Sequence, residues 1–234
     1  MSTDFDIIVI GAGIAGASVA AHLAETRKVA ILEMEERPGY HTTGRSASTY
    51  EPNYGPAPIR ALTRASRKAF DQGHYLTPRE TIFLMAEGQD DSFAALMAAQ
   101  QGMQEIAVSA ALGKHPLLRE GYARRAVLDP ATADIDVDLL HQTFLRQFKS
   151  RGGVLHCAKG VIALAHEGGW TVTAGGETFR AEVIVNAAGA WGDHVAELAG
   201  LTPIGLQPKR RSIAVVPGPD GRNVMDWPLI GDVG

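Results

Sequence analysis

The chain has 234 residues, 45% of them apolar and 21% charged, with a formal net charge of −4. That length allows one or two domains with a sizeable core, and the slight acidity excludes the broad basic face that nucleic-acid binding requires. A lone cysteine, Cys157, excludes an internal disulfide framework and fits a reducing compartment, so a cytoplasmic location is expected.

The first predicted element is a strand, Asp6-Ile7-Ile8-Val9-Ile10, which runs into Gly11-Ala12-Gly13-Ile14-Ala15-Gly16. A small-residue helix follows over 17–25, then a second strand, Val29-Ala30-Ile31-Leu32, ending in Glu33. Each part has a task in holding a dinucleotide. Gly11 permits the tight turn, Gly13 lets the backbone approach a pyrophosphate, and Gly16 lets the helix lie close on the strand. The helix start offers N–H groups and a partial positive charge to phosphates. Glu33 stands 22 positions after Gly11, close to the spacing at which an acid accepts from a ribose hydroxyl. An acid there disfavours a 2′-phosphate, so FAD or NAD is expected rather than NADP. The stretch 7–23 carries only His22 as an ionisable group, yet its three glycines and the acidic start Met1-Ser2-Thr3-Asp4 argue against a membrane anchor or signal peptide.

Residues 39–47 form a loop rich in glycine, hydroxyls and donors, leaving the second strand at the edge where ligands of such sheets sit. An amphipathic helix is predicted over 59–70, a strand over 81–85, and an alanine-rich helix over 92–103 with Asp91 or Ser92 as N-cap. Leu140, Phe144 and Phe148 mark a core-facing helix stopped by Gly152-Gly153, and 154–157 is a strand holding Cys157 as a buried structural thiol. Trp170-Thr171-Val172-Thr173 and Thr178-Phe179-Arg180 flank Ala174-Gly175-Gly176-Glu177, a two-glycine hairpin. Val183-Ile184-Val185 has the pattern of a strand buried on both faces. It ends in Asn186-Ala187-Ala188-Gly189-Ala190-Trp191, a second small-residue turn, followed by a helix through Leu198. Arg124-Arg125 and Lys209-Arg210-Arg211 are tight basic clusters, and by default each is solvated surface.

These segments together resemble the FAD-dependent D-amino-acid oxidase/dehydrogenase family, and most closely its bacterial D-arginine dehydrogenase-like branch. The carriers are 9–18, 38–47, Tyr54-Gly55 with 59–63, 133–138, 185–191 and 205–212, which span nearly the whole chain. The resemblance implies an α/β fold: a Rossmann-type FAD-binding domain, 1–49 with 128–207, interleaved with an incomplete α+β substrate domain, 50–127 with 208–234. It implies FAD held non-covalently over Gly11, Gly13, Ile14, Ala15 and Gly16, with a ribose on Glu33. Thr43, Gly44, Arg45, Ser46 and Ala47 would follow the pyrophosphate and flavin, Gly160 the adenine, and Ala188 and Gly189 the ribityl chain and ring. Some relatives attach flavin to a histidine, which makes His41 a candidate tether, although its motif looks like the non-covalent branch.

For the substrate, the resemblance implies oxidation of a D-amino acid or related amine to an imino acid that hydrolyses to keto acid and ammonia. Arg211 matches the arginine that pairs with the substrate carboxylate, and Tyr54 an aromatic of the active site. Two substrate-contacting positions depart from the branch: its histidine falls on Thr49 and its glutamate on Thr81, so a long cationic substrate loses its counter-charge. No metal is expected, and the electron acceptor is not specified by any motif. The family's chain continues past the position of residue 234, which leaves open a truncated gene product, a catalytically incompetent flavoprotein fragment, or one part of a split protein whose remainder a second chain supplies. Two further readings stay open: a flavin-dependent 2-hydroxy-acid oxidoreductase, and an NAD-dependent dehydrogenase, which the loop 39–47 and the turn 186–191 disfavour.

Overall fold

The computed structural model describes residues 3–210 and 212–233. In chain order its elements are β1 (Thr3–Ile10), α1 (Ile14–Leu23), β2 (Val29–Leu32), β3 (Thr49–Tyr50), α2 (Ala57–Gln72), β4 (Leu76–Pro78), β5 (Thr81–Met85), α3 (Asp90–Ala99), β6 (Gln104–Ile106) and α4 (Val108–Lys114). They continue with β7 (Arg125–Asp129), β8 (Ala133–Ile135), α5 (Val137–Ser150), β9 (Val154–His156), β10 (Val161–His166), β11 (Trp170–Ala174), β12 (Glu177–Asn186), α6 (Gly192–Leu198) and β13 (Leu229–Asp232). These sort into two units, residues 1–47 with 137–212 and residues 48–136 with 213–234. The chain thus returns to the first unit at 137 rather than at the expected 128. The cause is strand pairing: β7 lies between β5 and β6, and β8 between β3 and β4, so both belong to sheets of the second unit. Pairing of Thr49 and Tyr50 with β8 likewise moves the first boundary from 49 to 47. The second exit falls at 212 rather than 207.

The first unit is built on a six-stranded sheet in the order β10-β11-β12-β1-β2-β9. β1 pairs in parallel with both β12 and β2, and β2 with β9. Ile7, Val9, Val29 and Ile31 pack on one face against α1 and α5, while Phe5, Ile8, Ile10, Ala30 and Leu32 fill the other with Phe179 and Val195. This is why the two runs are apolar without alternation. The inner face of α1 carries only Gly16, Ala17, Ala20 and Ala21, which lets the helix sit close to Leu145 and Phe148 of α5. The run 183–185 was expected to be buried on both faces, but Val183 is 47% exposed. It shares a face with its register partner Ile7, and on that face α1 and α5 lie over β1, β2 and β9.

The second unit has two sheets, β13-β5-β7-β6 and β3-β8-β4. Helix α3 begins at Asp90, with Gln89 and not Asp91 or Ser92 as N-cap, and it stops at Ala99. Asn53 ends it early: its amide Oδ1 takes the N–H of Gln101 at 3.2 Å and its Nδ2 donates to the Gln101 carbonyl at 3.0 Å, so the chain turns away. Residues 212–216 form no strand despite their β-branched run, and Ile213, Val215 and Val216 are exposed. Without a ladder partner their amides gain nothing from an extended register. Strand formation resumes at β13, which pairs in parallel with β5.

Candidate dinucleotide site

The site lies wholly in the first unit, where β1 ends. Gly11 has φ +102°, and a Cβ there would lie 2.5 Å from the Ala187 carbonyl oxygen. Ala187 is held in that place by its N–H donating to the Ile10 carbonyl at 2.9 Å. The glycine turn and the turn 186–191 are therefore in direct backbone contact. Gly16 is tighter still, since an added Cβ would stand 1.9 Å from the Gly11 carbonyl oxygen. Helix α1 starts with Gly13 as N-cap and no side-chain cap. Its first N–H groups have no intrahelical partner by geometry, and the macrodipole makes that end partly positive. Ile14 is a correction to the expected phosphate donors, because its N–H donates to Thr43 Oγ1 at 2.9 Å. Ala15 and Gly16 are the next amides of that turn.

Glu33 is buried at the tip of β2. Its Oε2 accepts the Ala12 N–H at 2.7 Å and its Oε1 the Glu35 N–H at 3.0 Å. A carboxylate has about four acceptor sites, so lone pairs remain for a diol after these two bonds. The acid thus shapes the glycine turn.

The loop 39–47 closes on itself through the Gly44 N–H donating to the Gly39 carbonyl at 2.8 Å, with a short helical turn at Thr43–Arg45. Arg45 is exposed and stacks over the Tyr40 ring at 4.6 Å, and Ser46 and Ala47 are exposed beside it. His41, the candidate tether, pairs with Glu35 at 2.8 Å and lies 4.6 Å from the Trp191 ring, linking this loop to the second turn. That turn is organised by Asn186, whose Oδ1 accepts the Ala188 N–H and whose Nδ2 donates to the Gly192 carbonyl at 2.8 Å. Gly189 has φ +55° with open space where a Cβ would go, and Gly160 precedes β10 beside Met34.

Cys157 follows β9 and is half-buried. Burial raises its thiol pKa, the Glu33 charge adds to that, and Lys149 opposes it. A raised pKa means less thiolate at any pH below it, so the thiol is not activated. Its alkylation by iodoacetamide at pH 8 is expected to run slower than that of a free cysteine and to accelerate above pH 9. A rate equal to free cysteine at pH 8 would contradict this environment.

The four residues expected at the substrate lie as follows. Arg211 is outside the described residues. Tyr54 is 61% exposed and lines a cavity of about 130 Å³ in the second unit with Glu51, Asn53, Gln100 and Asp129. Burial, then the nearby Asp129, raise the Glu51 pKa. Thr49 is half-buried in β3. Thr81 is 2% exposed and its hydroxyl is bonded to Thr132 Oγ1 at 3.0 Å, so its side chain is spent inside the unit rather than offered to a solute. Among the described residues no helix is long and apolar enough to cross a membrane, and no cluster of three His, Cys, Asp or Glu side chains is placed to hold a metal ion.

Sequence reasoning missed a buried group of this site, His141 of α5, which is 3% exposed. Its signal lay in plain view: His141, Leu145 and Phe148 form a buried column, and a polar residue in such a column needs a partner.

The donor set fits a flavin dinucleotide: glycines whose Cβ atoms would collide, helix-start amides for the phosphates, and a buried carboxylate for a ribose. Comparison with known proteins agrees. The chain is 24% identical over 230 residues to the mitochondrial L-2-hydroxyglutarate dehydrogenase of Homo sapiens, covering 86% of this chain and 50% of that protein. Its fold matches the glycine oxidase of Geobacillus kaustophilus with a TM-score of 0.75 at 22% identity, covering 86% of this chain and 60% of that one. It also matches the L-alpha-glycerophosphate oxidase of Mycoplasma pneumoniae, solved with FAD bound, with a TM-score of 0.76 at 16% identity, covering 84% and 57%. The chain spans about half the length of the human relative. The family model DAO, FAD dependent oxidoreductase, matches residues 6–233, and the chain belongs to that family of FAD-dependent oxidoreductases.

Proposed function

We propose that this chain supplies the FAD-binding part of an oxidoreductase that oxidises a D-amino acid or related amine at Cα. The observation that carries the cofactor half of this reading is the backbone contact of two turns at Gly11, beside the start of α1. FAD held there would supply the two-electron acceptor for the Cα hydride, and the imino acid so formed would be hydrolysed by water to keto acid and ammonia. The chain's own residues orient: the Gly13, Ala15 and Gly16 amides would take the pyrophosphate, Gly11, whose N–H is bonded to the Leu32 carbonyl at 2.8 Å, would keep the turn clear of side chains, Glu33 would hold the ribose, and Ala188 and Gly189 would border the ring. Arg211 is the proposed partner of the substrate carboxylate, where a planar guanidinium forms a two-pronged pair, and Tyr54 a wall of the substrate site. The strings 38–47 and 205–212 support kinship to the D-arginine dehydrogenase-like branch. Threonine at 49 and 81 argues for a substrate without a long cationic side chain.

A second reading is favoured by one relative's name: a flavin-dependent 2-hydroxy-acid oxidoreductase, which would use the same carboxylate partner. The visible spectrum of the purified chain separates the readings. A flavin band bleached anaerobically by a D-amino acid supports the first, and bleaching only by a 2-hydroxy acid supports the second. A band bleached by neither class marks a chain that binds flavin without turnover. No flavin band after flavin-replete expression would overturn FAD binding by this chain alone.

A further inference from the structure

We infer that His141, a buried histidine of α5 that no motif marks, is a positioning residue for the pyrophosphate, acting through the peptide between Ala12 and Gly13. Its Nε2–H donates to the Ala12 carbonyl at 2.9 Å, and the same Ala12 gives its own N–H to Glu33 Oε2 at 2.7 Å. Ala12 is thus held at both ends by side chains far from it in sequence. The consequence follows from peptide geometry. A trans peptide is planar, with its C=O and the next residue's N–H pointing in opposite directions. No cis peptide is present among the described residues, so drawing the Ala12 carbonyl toward α5 turns the Gly13 N–H the other way, out of the packed interior. Gly13 is the N-cap of α1, where an outward amide adds to the anion-binding donors of the first turn. Fixing that amide before the ligand arrives removes an ordering cost from binding.

His141 is itself held in place from a second side. Gly39 approaches so closely that a Cβ there would lie 2.9 Å from the ring Cε1 and 3.1 Å from Nδ1. The same ring therefore packs under the loop 39–47 and bonds the glycine turn, which sets the spacing of the two segments. A ring proton on Nε2 satisfies the Ala12 carbonyl. Without that donor the peptide is free to rotate, and the carbonyl is left buried and unbonded.

This assignment rests on the proposed FAD site, and ADP is the probe because it carries the pyrophosphate without the flavin. In the full chain, His141→Leu is expected to weaken ADP binding, measured by calorimetry, about tenfold or more, the size of one lost buried hydrogen bond. His141→Gln, which keeps an N–H donor of similar reach, is expected to recover the parental affinity to within about threefold. His141→Asn, whose amide falls short of Ala12, replaces the leucine variant if that one does not fold. Phosphorus NMR of bound ADP is expected to show shifted resonances with the leucine or asparagine variant and parental ones with glutamine. Leu145→Ala, which unloads the same helix face without touching Ala12, is the control for a merely structural role. The assignment is overturned if His141→Leu binds ADP as the parent does, if Leu145→Ala loses as much affinity for the same drop in melting temperature, or if the parent chain does not bind ADP. Unchanged ADP binding in a variant of a chain whose flavin still bleaches sinks the role of His141 and leaves the proposed activity standing.

Discussion

Gly16→Ala is expected to abolish measurable FAD binding and to destabilise the first unit by about 3 kcal/mol, at the upper end of overpacking costs. The added methyl would lie 1.9 Å from the Gly11 carbonyl oxygen, and backbone cannot swing aside as a flexible side chain would. Relief requires α1 to lift from β1, which withdraws the helix-start amides and disturbs the contact between Gly11 and Ala187. Urea unfolding together with FAD titration checks both parts. Retention of the parental affinity would show that α1 does not lie where this glycine places it.

Glu33→Ala ranks second. It leaves the buried N–H of Ala12 without its acceptor, at a cost of about 1–3 kcal/mol, takes the acceptor from the half-buried N–H of Glu35, and removes the diol partner as well. A fall in FAD affinity of about a hundredfold, with a lower melting temperature, is the expected result. Glu33→Gln is expected to fall between parent and alanine, because one amide oxygen still accepts but the NH2 faces a donor. If alanine at 33 changes stability without changing affinity, the acid serves the turn alone and the ribose assignment fails.

Much of the first unit was legible because its signals are local. The run 6–10, the glycines after it and the acid at 33 lie within one strand–helix–strand unit, and each pattern has a single geometric solution. The strand 81–85 and the two-glycine hairpin at 175–176 were legible for the same reason. What was missed depends on partners distant in sequence. His141 finds the Ala12 carbonyl from 129 positions away, and no periodicity in α5 could name that partner. The burial expected for Val183 failed because apolarity reports what a strand tolerates, not which helix covers it. The boundary at 128 failed because β7 and β8 are short strands whose allegiance is decided by pairing alone. Thr81 was placed correctly in a strand, but its face was fixed by Thr132, a hydroxyl partner that carries no sequence signature.

The hydrogen bond from the Ile135 N–H to the Ser48 carbonyl, at 2.6 Å within the second unit, has a kinetic meaning. β1 must find β12 across most of the chain, and closing so long a loop is entropically slow. Once the second unit folds, its two ends are stitched together, and the long intervening segment behaves as a short tether between Ala47 and Val137. The inserted unit then acts as an entropic clamp on the first. During synthesis the Gly11 turn can meet its backbone partner only after the residues around Ala187 have emerged.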